Sequence, residues 1–153
     1  MKRKIFLLPF MAVIAICISA CSLEADNVDG DGDFEGFWHL ESIETLSTDS
    51  ASTSPVQDLS HQRLFWAFQH KLLQLKDYDG PNRTYLCRFD ISNGHFTVTN
   101  AYYSSNGDDH AVENDSVLVP YGIPGLNKQF DYSIDGGNMT LTCGNTRLRL
   151  KKF

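Results

Sequence analysis

The sequence predicts an all-β fold of eight short antiparallel strands, with a short helix between the later strands. Apolar and polar residues alternate through most of the segments, which is the period expected of strands that bury one face. Turn-forming residues separate these segments, and Asn93-Gly94 between two alternating runs is typical of a two-residue hairpin. Eight short strands at regular spacing are what a small barrel or sandwich requires.

The early part of the chain has one clear strand and one ambiguous segment. The predicted first strand, residues 37–46, is followed by a polar loop over residues 47–60, long enough to act as a lid or flap. Residues 63–76 have apolar spacing that fits either one helix or two strands joined at His70-Lys71. We expect two strands, because the flanking segments are β and because aromatic residues favour strands.

The later part of the chain has clearer turn signals. Loops are predicted at residues 77–82 and 104–109, and a short helix at residues 113–119 ends before Pro120. The remaining strands are predicted at residues 84–91, 95–102, 129–134, 139–143 and 146–152.

One motif connects the first strand with the last. Gly36-Phe37-Trp38 at the head of the first strand resembles the lipocalin and calycin signature. Residues 36–153 are similar to the lipocalin-like domains of bacterial lipoproteins. Besides the Gly-x-Trp motif, the matching stretches are residues 68–75, 120–122 and 148–153. The resemblance implies an eight-stranded barrel over residues 34–153, closed at one end by Trp38. It also implies an arginine from the last strand over the Trp38 ring, for which Arg147 and Arg149 are the candidates.

The N-terminus has the organisation of an export signal. Lys2, Arg3 and Lys4 precede an apolar run that is too short to cross a bilayer comfortably, as in a signal peptide. Ile18-Ser19-Ala20-Cys21 resembles the bacterial lipobox, which implies cleavage before Cys21 and acylation of that cysteine. The alternative is an ordinary signal peptide with a cysteine there by chance. We therefore predict a signal peptide at residues 1–20 and a flexible acidic tether at residues 21–33.

Charge and the implied anchor indicate where the protein works. The chain has 13 basic and 19 acidic residues, and loss of the signal peptide would leave it more acidic still. This balance argues against binding to nucleic acid. We expect a lipid anchor in the outer membrane of a Gram-negative bacterium. Acidic residues after Cys21 loosely resemble a surface-export signal, which extends the expectation to an outward-facing position.

Two cysteines remain in the predicted barrel, Cys87 and Cys143. The predicted compartment permits a disulfide between them. Each also lies in an alternating apolar row, where a buried free thiol is equally reasonable. The sequence leaves both alternatives open.

No pattern in the sequence predicts catalysis. The histidines lack metal-ligand spacing, no Gly-x-Ser-x-Gly motif occurs, and no cofactor or metal is expected. We therefore predict a protein that is not an enzyme and that binds a small apolar ligand inside the barrel. The candidate pocket residues are aromatic: Trp66, Phe68, Tyr85, Phe89, Tyr102 and Tyr121. The alternative is an accessory subunit of an envelope complex whose barrel is filled by its own side chains.

Overall fold

A computed structural model describes residues 31–47, 55–80 and 84–153 of the chain. These residues form one antiparallel sheet of ten strands. The strands are β1 (Gly36–Thr45), β2 (Val56–Asp58), β3 (Leu64–Gln69), β4 (Leu72–Asp77), β5 (Thr84–Ser92), β6 (His95–Ser105), β7 (Asp108–Ala111), β8 (Gln129–Asp135), β9 (Asn138–Cys143) and β10 (Thr146–Lys152).

Eight of these strands close into a barrel. The sheet runs in the order β10-β9-β8-β6-β5-β4-β3-β1, and β10 also pairs with β1. The strands β2 and β7 lie outside this cycle, on β1 and β6. The predicted all-β, eight-stranded antiparallel barrel is confirmed. Closure leaves the eight barrel strands without a free edge between β1 and β10.

The two ends of the barrel differ in their connections. One end carries tight turns at residues 70–71, 93–94 and 136–137 and is called the tryptophan end, because Trp38 lies near it. The opposite end, called the loop end, carries the longer connections at residues 59–63 and 112–128 and the turn at 144–145.

Residues 63–76 form two strands, as predicted, and not a helix. His70 takes a φ of 53° in the turn between β3 and β4, a left-handed conformation that asparagine or glycine occupies more easily. Because histidine and not asparagine or glycine occupies this position, the sequence does not mark the turn. At the next hairpin Asn93 and Gly94 both have positive φ, as predicted for Asn-Gly.

Two strands were not predicted: β2 lies within the predicted loop at residues 47–60, and β7 begins within the predicted loop at residues 104–109. β2 pairs with residues 42–44 of β1, and β7 pairs with residues 102–105 of β6. Every residue of both strands is exposed. They have no apolar alternation, because their backbones extend an existing sheet without covering a core face.

The predicted helix at residues 113–119 is a 3₁₀ helix displaced towards the C-terminus, at Asp115–Tyr121. The Asn114 side chain caps it by accepting a hydrogen bond from the Ser116 N–H at 3.0 Å. Pro120 lies inside the helix, and Gly122 ends it with a φ of 83°. This short element, called the 3₁₀ segment, lies in the connection from β7 to β8.

A second 3₁₀ helix, Asp31–Asp33, precedes β1 and includes the last residues of the predicted tether. It leads directly into Phe34, which is fully buried and begins the barrel core. Cys21 and the predicted signal peptide lie outside the described residues. Within residues 31–47, 55–80 and 84–153, no helix is long and apolar enough to cross a membrane.

Candidate functional site

Trp38 lies inside the barrel, near the tryptophan end. It stands opposite Trp66 of β3 and Lys152 of β10, and its side chain is fully buried. Its indole N–H donates a hydrogen bond to the Phe34 carbonyl oxygen at 2.6 Å. Lys152 Nζ lies 5.1 Å from the ring centroid, within the range of a cation–π contact.

The expectation that Arg147 or Arg149 covers the Trp38 ring is wrong. Arg147 lies 3.3 Å from a Glu44 carboxylate oxygen, and Arg149 lies 3.9 Å from the same oxygen. Both arginines alternate with the buried Leu148 and Leu150, so they lie on the outer face of the barrel. Lys152 is in phase with the two leucines, which places the cation over Trp38.

Phe34 fills the core next to Trp38. Its ring centroid lies 4.9 Å from that of Tyr132, 5.4 Å from Phe68 and 5.5 Å from Phe96. Phe68 in turn contacts Phe89 edge to face at 5.3 Å. Rings at these distances are in direct contact. The tryptophan end of the barrel is therefore packed by its own aromatic side chains.

The loop end is closed in a different way, by the 3₁₀ segment and the residues after it. Leu118, Tyr121 and Ile123 are all buried there. The Tyr121 ring meets the Tyr85 ring edge to face at 5.8 Å. A side chain at Gly122 would place its Cβ 2.4 Å from a Leu148 methyl carbon. The segment therefore packs tightly against β10, and glycine is required for this approach.

Five of the six candidate pocket residues point into the barrel. Trp66, Phe68, Tyr85, Phe89 and Tyr121 are all buried core residues. They do not form one site, because Phe68 and Phe89 belong to the Phe34 packing, whereas Tyr85 and Tyr121 lie at the loop end. Trp66 contacts the first group, with ring centroids 6.1 Å from Phe68 and 6.2 Å from Phe96, and only Leu75 separates it from Tyr85 across the sheet.

Tyr102 is the sixth candidate, and its assignment to the pocket is wrong. It is 36% exposed and faces outward, opposite Leu86 of β5 and Ala111 of β7. The register of β6 against β5 shifts between Val98 and Asn100, so one extra residue turns the following side chains over. Ala101 takes the inward position that even alternation predicts for Tyr102.

The core has few ionisable groups, and burial keeps them neutral. No polar or charged residue is buried among the residues that the structure describes. Burial is the main cause that raises the pKa of Tyr121 to about 12, and the Asp77 carboxylate adds to it. Burial also raises the pKa of the Cys87 thiol to about 12. Cys87 and Cys143 are both free thiols, which settles the two alternatives that the sequence left open.

A second aromatic group, which no sequence pattern indicated, lies on the outer face of β1 and β3. Phe37 and Phe65 stack there at a centroid distance of 4.6 Å. Phe153 contacts both rings edge to face, and Tyr78 contacts Phe65 at 5.9 Å. These four residues are called the outer aromatic cluster. Phe153 is 87% exposed and Tyr78 is 49% exposed, so the cluster presents apolar surface to solvent.

Within the residues that the structure describes, no group of three or more histidine, cysteine, aspartate or glutamate side chains lies close enough together to hold a metal ion.

Comparison with known proteins gives a consistent result for the fold. A family model described as a lipocalin-like domain matches residues 16–153. The crystal structure of a lipocalin-like protein from Bacteroides uniformis is similar, with a TM-score of 0.54 and 18% sequence identity. The similarity covers 80% of this chain and 100% of that one, and it concerns the fold alone. No curated protein matches the chain.

Proposed function

Because the chain belongs to the family of lipocalin-like domains, we propose that it is a lipid-anchored envelope protein that binds one small, mostly apolar ligand in its barrel. The observation that carries the proposal is the difference between the two ends. Direct ring contacts fill the tryptophan end, whereas a short 3₁₀ segment closes the loop end over an apolar interior. We therefore propose the loop end as the ligand site.

The chemistry of the loop-end interior suits a neutral apolar molecule. Leu118, Ile123 and Leu148 are fully buried, and Tyr85 and Tyr121 are 6% and 5% exposed. A charged ligand would have no buried partner charge among the described residues, and burial of an unpaired charge costs a great deal of free energy. The Tyr121 hydroxyl stays protonated at neutral pH and can donate one hydrogen bond to the ligand.

Ligand entry requires the 3₁₀ segment to move. The segment is one of the few core elements that do not belong to the barrel strands, and 3₁₀ hydrogen bonds have poorer geometry than those of an α-helix. Val119 on its outer side is 51% exposed, so the segment is covered by no further layer at that point. Its displacement would remove Leu118 and Tyr121 from the interior together.

The second part of the proposal is the anchor at Cys21, in the outer membrane of a Gram-negative bacterium and facing outward. β1 begins at the tryptophan end, so the tether leaves the barrel there. The chain from Cys21 to Asp31 can span up to roughly 35 Å when fully extended. This attachment lets the loop end face away from the bilayer, where the 3₁₀ segment is accessible to ligand. We expect no binding to nucleic acid, because the chain has 19 acidic and 13 basic residues.

We propose no catalytic activity for the barrel. Its buried thiol, Cys87, has a pKa raised to about 12 and is therefore not a thiolate nucleophile at neutral pH. Binding alone is the function that the interior supports.

One preparation tests both parts of the proposal. The full chain is produced with labelled fatty acid, purified from membranes and extracted with organic solvent. We expect the label to stay covalently bound, and we expect about one neutral molecule per chain in the extract. The Cys21→Ser variant should lose the label. Label on that variant would refute the anchor, and an extract containing only bulk membrane lipid in variable amounts would refute the ligand.

One observation favours a second function, that of an accessory subunit in an envelope complex. The outer aromatic cluster presents Phe153 and Tyr78 to solvent, and large exposed apolar surfaces mark interaction sites. In that case native electrophoresis of solubilised membranes should show the wild-type chain in a species larger than a monomer. The Phe153→Ser variant should then migrate as the monomer. Monomeric migration of the wild type would exclude this second function.

A further inference from the structure

The two tryptophans of the barrel differ in one respect. Trp38 and Trp66 are opposite each other in the β1–β3 register, and both side chains are fully buried. The indole N–H of Trp38 donates to the Phe34 carbonyl oxygen. The indole N–H of Trp66 has no hydrogen-bond partner among the residues that the structure describes.

A buried donor without an acceptor is unfavourable. It loses its hydrogen bonds to water on folding and gains none in return, at a cost comparable to or larger than that of a broken hydrogen bond. Native proteins satisfy nearly all such groups, so each exception needs an explanation. A phenylalanine at position 66 would fill most of the same space without this cost. Packing alone therefore does not account for the N–H of Trp66, whereas an acceptor on a bound molecule would.

The position of Trp66 indicates where a hydrogen-bond acceptor for its N–H can come from. Leu75 separates Trp66 from Tyr85 along the sheet, so Trp66 and Tyr85 stand on the same interior wall, two strands apart. Tyr121 of the 3₁₀ segment packs on Tyr85. An apolar molecule that occupies the loop end would reach past the two tyrosines to Trp66.

The charge of the surroundings limits which acceptor group that molecule can carry next to Trp66. Lys152 at the tryptophan end is exposed, and no cationic side chain is buried in the described core. A carboxylate accepting from Trp66 would therefore carry an unpaired buried charge. A carbonyl, ester or ether oxygen accepts a hydrogen bond from an indole N–H without that cost.

We infer that Trp66 Nε1 is the hydrogen-bond donor that fixes the ligand, and that the ligand is an apolar molecule with a neutral acceptor oxygen, such as a ketone, ester or ether. This inference rests on the proposed ligand site at the loop end and names the polar group that the ligand carries. Apolar contacts supply the affinity, and the single buried donor selects molecules with an oxygen at the inner end.

The test compares two probes of similar size and shape, 2-nonanone and nonane. The full chain is placed in lipid nanodiscs, and binding of each volatile probe is measured by headspace gas chromatography, with empty nanodiscs as the blank. The affinity of the Trp66→Phe variant is divided by that of the wild type for each probe. The hydration of each probe cancels in this ratio.

We expect Trp66→Phe to weaken binding of 2-nonanone about fivefold to tenfold, which corresponds to one hydrogen bond of roughly 1 to 1.4 kcal/mol. Binding of nonane should not weaken. The control is Trp38→Phe, whose N–H already has an acceptor; it should show no selective loss of the ketone. Unfolding of both variants by urea is measured beside the binding assay. Trp66→Phe should be the more stable of the two, because it removes an unsatisfied donor.

The outcomes separate the inference from the proposed function. If the wild type binds both probes but Trp66→Phe affects them equally, the inference is wrong, the ligand site stands, and the N–H serves a buried water. If the wild type binds neither probe, both are refuted for molecules of this class. If Trp66→Phe fails to fold, the relative affinity of wild type for 2-nonanone and nonanoate decides: tighter binding of the carboxylate would overturn the inference.

Discussion

Replacement of Gly122 by alanine tests how firmly the loop end is closed. Gly122 has a φ of 83°, in the left-handed region, where a side chain costs about 1 kcal/mol. The new Cβ would also lie 2.4 Å from a Leu148 methyl carbon, so the 3₁₀ segment or Leu148 must shift. Overpacking of this kind costs about 1–3 kcal/mol. The expected loss in the free energy of unfolding is therefore about 2–4 kcal/mol.

A second glycine separates the two contributions to this loss. Gly94 has a similar φ of 77°, but no atom lies within 4 Å of the position that its Cβ would take. Gly94→Ala should therefore lose only the backbone contribution of about 1 kcal/mol. Urea unfolding followed by tryptophan fluorescence measures both variants. If the two losses differ by less than about 0.5 kcal/mol, the 3₁₀ segment is not packed against β10 as described.

Three further predictions concern the cation, the thiol and the phenol. Lys152→Ala should lose about 0.5–1 kcal/mol of stability, because it removes the contact with Trp38. Arg149→Ala should stay within about 0.5 kcal/mol of wild type. If urea unfolding gives the reverse order, the cation over the Trp38 ring is the arginine and not Lys152. In the native protein Cys87 should not react with a thiol reagent, and it should react after denaturation; a cysteine that stays unreactive in denaturant would indicate a disulfide. The folded-state pKa of Tyr121 is raised from 10.0 to about 12, so the phenol of the unfolded chain ionises first as pH rises. The free energy of unfolding should therefore fall between pH 10 and pH 12. Tyr121→Phe should remove that part of the fall, and an unchanged alkaline profile would contradict the assignment.

The strands of the barrel were predictable because each covers a core. Alternation along β5 or β9 follows directly from burial of one face, and Asn93-Gly94 follows from the backbone that the hairpin requires. β2 and β7 cover nothing and take their extended form from the strand edges beside them. Their pairing depends on the tertiary structure, so no local sequence pattern predicts it.

The site was predictable only where alternation is unbroken. A strict period of two from Leu148 and Leu150 places Lys152 on the face that Trp38 occupies and Arg149 on the opposite face, so the sequence contained the signal for the correct cation. Tyr102 is different, because the bulge near Thr99 reverses the two faces of β6 and no residue type there marks it. Phe34 lies in an acidic stretch before the first strand, and its aromatic side chain alone did not indicate that it fills the core.

The proposed ligand is tested most directly by mass. The purified, anchored chain is measured by mass spectrometry twice, once under native and once under denaturing conditions. The acyl chains at Cys21 are covalent and contribute equally to both masses, whereas a ligand held at the loop end is released on unfolding. We predict that the native mass exceeds the denatured mass by one discrete neutral molecule. Equal masses would contradict the ligand-binding account and leave a barrel filled by its own side chains.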